Sequence, residues 1–211
     1  MSADRTATLA GVLYVALDVA VGAPAGAPPA PSAPENEIVA YLADHRTGLA
    51  AGLWLFGLAS IPLLWWFGSL WGRMVRAEQG TPRLAVVSLA GLLLGGTIAF
   101  ASAVVLATLA LAGGDDGVVT LYTLGAVFLS AAGFGLGSHL LATNMLAARS
   151  RMMATWLVVV GLVAALAFLV SAVLGALSND ATSNTVSLTD FALWLVWILG
   201  VSQRMWSDYA P

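Results

Sequence analysis

Residues 154–177 read ATWLVVVGLVAALAFLVSAVLGAL, an unbroken run without a single charge. An α-helix rises 1.5 Å per residue, so about 20 apolar residues suffice to cross the ~30 Å of hydrocarbon in a bilayer. This run is long enough to span. Working outward from it, the chain offers five more candidates: Thr6–Gly22, Gly48–Leu70, Leu84–Leu111 and Val118–Leu141 before it, and Leu188–Ser202 after it. The first and last are short, and the third is long enough to tilt. Pro62 should kink the second, leaving a carbonyl for a neighbouring helix to satisfy.

Composition agrees with that reading. The 211 residues are 60% hydrophobic and only 9% charged, where a soluble domain carries roughly 25% charged residues. A soluble fold of this size could not hide so much apolar surface, so the bilayer is the expected solvent. The expected fold class is all-α. A single membrane domain, residues 1–211, forms an integral bundle of six transmembrane helices.

The arginines orient it. With the N-terminus inside, the inner segments carry Arg5, Arg73, Arg76, Arg83, Arg149, Arg151 and Arg204, and the outer loops carry only Arg46. That asymmetry follows the positive-inside rule and puts both termini on the cytoplasmic side of a cell (inner) membrane. The acids Glu35, Glu37, Asp44, Asp115, Asp116, Asp180 and Asp190 fall outside, which is consistent but weighs little. Trp65, Trp66, Trp71, Trp156 and Trp206 lie near the inner boundary, where indole rings prefer to sit. A rival reading makes residues 1–25 a cleaved signal peptide ending in small residues. Asp18 inside its apolar core argues against that.

The first outer loop, residues 23–47, is the one long connection. It opens with the stiff, extended APAGAPPAPSAP. Ser32 and Glu35 then have capping-box spacing, and Pro34 suits a first helical turn. Ile38, Tyr41, Leu42 and His45 share one face, with Glu37 and Asp44 off it. A short amphipathic helix lying on the outer surface is expected from about Ala33 to Arg46. The sequence SLTD at 187–190 repeats the cap logic at the start of the sixth span.

Absences narrow the chemistry. No cysteine means no disulfide, thiolate metal site, iron–sulfur cluster or cysteine nucleophile. No lysine means no Schiff base to retinal or pyridoxal phosphate. A net charge of −3 gives no general attraction to nucleic acid. There is no GxSxG, HExxH or phosphate loop. No catalytic residue, metal ligand or cofactor is expected.

Few residues remain as candidates. Asp18 stands in an otherwise apolar span, where a charge costs about 2.5–3.5 kcal/mol on insertion scales. It lies roughly 6 Å below the outer end, four residues before Gly22. Arg46 and His45 sit just before the second span, at that same end. A polar cluster of Asp18, Asp44, His45 and Arg46 is therefore expected, with Asp18 paired to Arg46 or His45. The alternative role for Asp18 is to bind a proton or ligand. His139 is near the inner end of span four, too far from His45 for the two to share a haem iron. It is expected to bond Asn144 or a neighbouring carbonyl, with a proton relay as the functional alternative. Gly91 with Gly95, and Gly133 with Gly137, are four apart, giving small-residue faces where helices approach closely. Spans three and four could use these faces on each other, or they could form a dimer seam. The turn GGDDG at 113–117 offers too few oxygens for a calcium cage.

Three segments carry a likeness to known proteins: AGVLYVALDVAVGAP at 10–24, EIVAYLADHRTGLAAGLWLFGLASIPLLWWFGSLWGRMVRAEQG at 37–80, and ARSRMMATWLVVVGLVAALAFLVSAV at 148–173. They resemble a bacterial, actinobacterial-type family of six-span integral membrane proteins known only as a domain of unknown function. Members often carry a proline before the fifth span, where this chain has Met152 and Met153. The resemblance implies a fold type and supplies no activity.

Scarce polar residues, small loops and the absence of motifs favour a non-enzymatic multi-pass protein. In the lipid bilayer it would bind a partner protein or lipid, or form a homo-oligomer. The alternative is a small transporter or channel subunit with Asp18 as its proton or ligand site.

Overall fold

The computed structural model describes residues 3–22, 28–112, 117–177 and 181–207, and everything below refers to these. They form seven α-helices and no strand: α1 Ala3–Gly22, α2 Glu35–Asp44, α3 Arg46–Glu78, α4 Arg83–Ala112, α5 Val118–Ser150, α6 Thr155–Leu177 and α7 Ala181–Ser207. Four of them, α3 to α6, are long and apolar enough to cross a membrane. The two remaining long helices, α1 and α7, are not in that set. α1 carries Asp4, Arg5 and Asp18, and α7 opens on the polar run ATSNTVSLTD.

Six helices close into a ring. α1 packs on α3, α3 on α4, α4 on α5, α5 on α6, α6 on α7, and α7 returns to α1. Neighbours run antiparallel. Gly11 of α1 lies against Trp66 of α3 and Ser202 of α7, whereas Gly52 of α3 lies against Val21 near the other end of α1. The Arg5 guanidinium sits 5.6 Å from the Trp206 ring centroid, so the start of α1 and the end of α7 share one end of the ring. The short turns α3–α4 and α5–α6 close that same end, called here the base; the opposite end is the mouth. Seven arginines belong to the base, and Arg46 alone starts a helix at the mouth.

The base is tightly built. The Glu78 carboxylate accepts hydrogen bonds from the backbone N–H groups of Leu84 (2.8 Å) and Ala85 (3.1 Å), two donors that the first turn of α4 cannot satisfy itself. Gln79 and Arg151 end α3 and α5 in the left-handed conformation. Above them Trp66, Leu70, Met74, Leu140, Trp197, Ile198 and Met205 form a fully buried core. Trp66 is thus a core residue and not an interfacial anchor: its indole N–H donates to Ser202 Oγ at 2.9 Å. Trp65, Trp156 and Trp206 remain exposed.

Between 22% and 44% of each candidate span's apolar window is buried, so most of its apolar surface points away from the protein. Leu13, Leu58, Leu94, Val159 and Leu166 are among the residues turned outward. Water does not reward such a surface, and hydrocarbon does.

Several helices are longer than their apolar runs suggested. α3 continues to Glu78, α5 to Ser150, and α7 covers 181–207 where only Leu188–Ser202 was expected. SLTD accordingly lies inside α7 and does not cap it. Pro62 is buried within α3, which continues past it.

The glycine faces pair differently from expectation. A Cβ on Gly91 would lie 2.7 Å from Gly135 O, and one on Gly95 would lie 2.7 Å from Leu136 N, so the α4 face meets α5 at Gly135. Gly133 and Gly137 point instead at α6, where a Cβ would meet Phe168 O at 2.5 Å and Leu169 Cγ at 2.8 Å. Gly133 and Gly135, two apart, lie on different sides of α5, because a helix turns about 100° per residue.

α2 is shorter than expected and its face has another partner. Its N-cap is Pro34, two residues after Ser32, the expected cap residue. The Pro34 carbonyl accepts from the Glu37 and Ile38 N–H groups. Ile38 and Leu42 are buried against Ala110, Val118 and Tyr122 at the mouth ends of α4 and α5. The apolar face thus packs on the bundle, while Glu37 and Asp44 face outward as expected.

Candidate functional site

α1 supplies the first two polar groups of the interior. Tyr14 and Asp18 are four residues apart and so lie on one helix face. The Tyr14 hydroxyl donates to Asp18 Oδ2 at 2.7 Å and accepts from the Trp194 indole N–H at 2.9 Å. Trp194 belongs to α7, where Asp190 stands four residues earlier on the same face. Both carboxyl-bearing side chains are buried, Asp18 at 3% exposure and Asp190 at 4%. Asp190 is hydrogen-bonded by the Ser171 hydroxyl and the Phe191 backbone N–H.

These residues line a cavity of about 990 Å³ in the mouth half of the ring. All six ring helices contribute. Phe56 and Ser60 come from α3, Thr97 and Phe100 from α4, Ser130 from α5, and Phe168 and Ser171 from α6. Pro28, Pro29 and Pro31 border it from the loop after α1. That loop is tied to α5 by Tyr122, whose hydroxyl donates to Pro29 O at 2.8 Å. The walls are mostly apolar. Two wall hydroxyls spend their protons on helix carbonyls, Ser102 on Gly125 O (2.8 Å) and Ser130 on Ala126 O (3.1 Å).

The expected cluster of Asp18, Asp44, His45 and Arg46 does not assemble. Arg46 donates to Leu111 O at 3.0 Å, His45 stacks on Tyr41 with ring centroids 4.7 Å apart, and Asp44 is exposed. Burial pushes the Tyr41 hydroxyl above its ordinary value of 10.0. The reason for the miss is helix overshoot. α3 begins at Arg46, six residues before the Gly52–Val21 contact, which is about 9 Å of rise beyond the end of α1. Asp18 lies on the cavity side of that contact with Phe56 and Gly57, well below Arg46.

His139 lies beneath the cavity and is fully buried. Its Nδ1 sits 2.9 Å from Ser88 Oγ and 3.1 Å from Ser88 O, so a neighbouring helix supplies the carbonyl. Asn144 is not its partner: it donates to Leu140 O and accepts from the Trp197 indole N–H at 3.2 Å. Phe67, Trp194 and Trp197 surround the imidazole edge-on at 5.4–5.9 Å, and Nε2 has no hydrogen-bond partner. The aspartates of the GGDDG turn lie outside the described residues. Among the described residues no three metal-ligating side chains come together.

No family model, curated protein or solved structure matches the chain.

Asp190 and Trp194 were missed as site residues. Their signal was present in the sequence: an acid with an aromatic residue four positions away, in each of the two terminal helices, as in Tyr14–Asp18 and Asp190–Trp194.

Proposed function

We propose that this chain is a six-span integral membrane protein of a bacterial inner membrane, with both termini cytoplasmic, that takes a small apolar molecule into its interior. It is a binding or transport protein and not an enzyme. The cavity carries this reading. Small-molecule sites are typically clefts of about 300–1,000 Å³ with apolar walls and a few convergent polar groups, and this one is of that size and make. The cavity favours the alternative of a small transporter over the partner-binding reading. The ring closed by α1 and α7 supports six spans, the gathering of seven arginines at the base supports a cytoplasmic base, and the proposed kinship with six-span bacterial proteins agrees with both.

The test uses the purified chain in lipid nanodiscs and an uncharged apolar fluorophore, N-phenyl-naphthylamine, with empty nanodiscs as the blank. Gly96 lines the cavity, and a Cβ there meets no atom within 4 Å. Gly96→Trp fills the space without displacing backbone and should abolish saturable binding. Equal binding by this variant and the unaltered protein refutes the proposal.

A further inference from the structure

The Tyr14–Trp194 hydrogen bond fixes how the two carboxyl groups stand relative to each other. α1 and α7 run antiparallel, as the pairing of Tyr14 with Trp194 and of Arg5 with Trp206 requires. One turn toward the mouth from that bond is Asp18 on α1, and one turn toward the mouth is Asp190 on α7. Each lies about 6 Å of helix rise above the bond. Two carboxyl groups thus share one level of one cavity wall, and both line the cavity. Every arginine and histidine of the chain falls among the described residues, and none of them lines it. The hydrogen-bond donors to these carboxyls, Tyr14, Ser171 and the Phe191 amide, are all neutral. A buried carboxylate left without a counter-charge is costly, so each of the two either takes up a proton or draws a positive partner from outside the chain.

The volume says what kind of partner. A bare metal ion needs several oxygens converging within 2–2.6 Å, and no group of three metal-ligating side chains exists among the described residues. About 990 Å³ is far larger than an ion. Phe56 and the 41%-exposed Phe100 line the cavity with aromatic surface, which favours a cationic centre attached to hydrocarbon, while Trp194 and Phe168 are buried in the wall behind. We infer that the cavity is a site for a hydrophobic organic cation, an amine or quaternary onium with an apolar body, whose charge is met jointly by Asp18 and Asp190. This rests on the cavity being a ligand site and adds the class of ligand.

The experiment uses two ions of nearly the same shape and opposite charge, tetraphenylphosphonium and tetraphenylborate, measured by equilibrium dialysis against the chain in neutral-lipid nanodiscs with empty discs subtracted. The phosphonium should bind saturably and the borate should not. Asp18→Asn and Asp190→Asn keep hydrogen-bonding shape but remove charge, and each should weaken phosphonium binding about thirtyfold or more. Should one Asn variant fail to fold, the other variant and the charge comparison on the unaltered protein still decide. Absence of phosphonium binding, equal binding of both ions, or full affinity in the Asn variants overturns the inference. If both ions bind equally and Gly96→Trp blocks both, the ligand cavity stands and only its charge preference falls. If Gly96→Trp changes neither, the cavity reading falls as well.

Discussion

Gly135 is where α4 and α5 approach most closely, and replacing it with alanine tests the packing directly. A Cβ at that position would stand 2.6 Å from Gly95 Cα and 2.7 Å from Gly91 O, and nearer still to Gly95 N. Carbon atoms rest about 3.5–4.0 Å apart, so the two helices must part locally by about 1 Å. A gap of that size forfeits roughly a quarter to a half of each dispersion contact along the seam. Overpacking of this kind costs ~1–3 kcal/mol. Alanine regains up to ~1 kcal/mol of helix propensity over glycine. All the obstructing atoms are backbone, and no side chain can swing aside, so the cost belongs in the upper part of its range. The net loss is about 1–2 kcal/mol. Gly96→Ala on the same α4 is the matched control. Nothing lies within 4 Å of its Cβ, so only the propensity gain applies. Thermal unfolding of the detergent-solubilised protein, followed by tryptophan fluorescence, should show a lower midpoint for Gly135→Ala and an unchanged or higher one for Gly96→Ala. A Gly135→Ala protein as stable as the parent refutes the close approach.

Three further outcomes are expected. Asp18 and Arg46 have separate partners, so the stability losses of Asp18→Asn and Arg46→Gln should add within about 0.5 kcal/mol in the double variant; a double variant that recovers stability would restore the ion pair. Tyr14→Phe strands the Trp194 indole N–H and removes a donor from Asp18, costing about 1–3 kcal/mol, and denaturation midpoints unchanged from the parent would contradict the Tyr14 bridge. For topology, a single cysteine at exposed Gly80 in the base should resist an impermeant thiol reagent in intact cells, while one at exposed Glu37 should label; the reverse pattern inverts the proposed orientation.

Much of the architecture was legible because it follows from solvent. A run such as 154–177 has no stable home but hydrocarbon or a large core, and four such helices, α3 to α6, follow one another with short connections. Helix ends were less legible. Met74, Leu146 and Met205 extend the buried core past the apolar runs, since polar neighbours at the base do not stop a helix that still has core to cover. The glycine pairs advertised close packing but not direction: Gly133 and Gly135 are two residues apart and face different helices. Asp18 announced itself by its isolation in an apolar span. Asp190 did not, because SLTD reads equally well as a helix start, and only the helical extension back to Ala181 turns that aspartate inward. The expected Asp18–Arg46 pair failed for the same reason. Sequence depth was measured from the ends of apolar runs, whereas α3 begins about one and a half turns beyond α1.

The Tyr14 bridge also carries a sense of direction. An indole N–H can give a hydrogen but never take one, so Trp194 fixes the phenol's lone pair and obliges its only proton to point at Asp18. The string Trp194, Tyr14, Asp18 therefore reads one way and cannot be reversed. It is also a dead end for protons: Trp194 has no lone pair with which to pass one toward the base. A proton that reaches Asp18 from the mouth leaves by the mouth along this route. If protons are exchanged at Asp18, this string is not the wire that carries them from the mouth to the base.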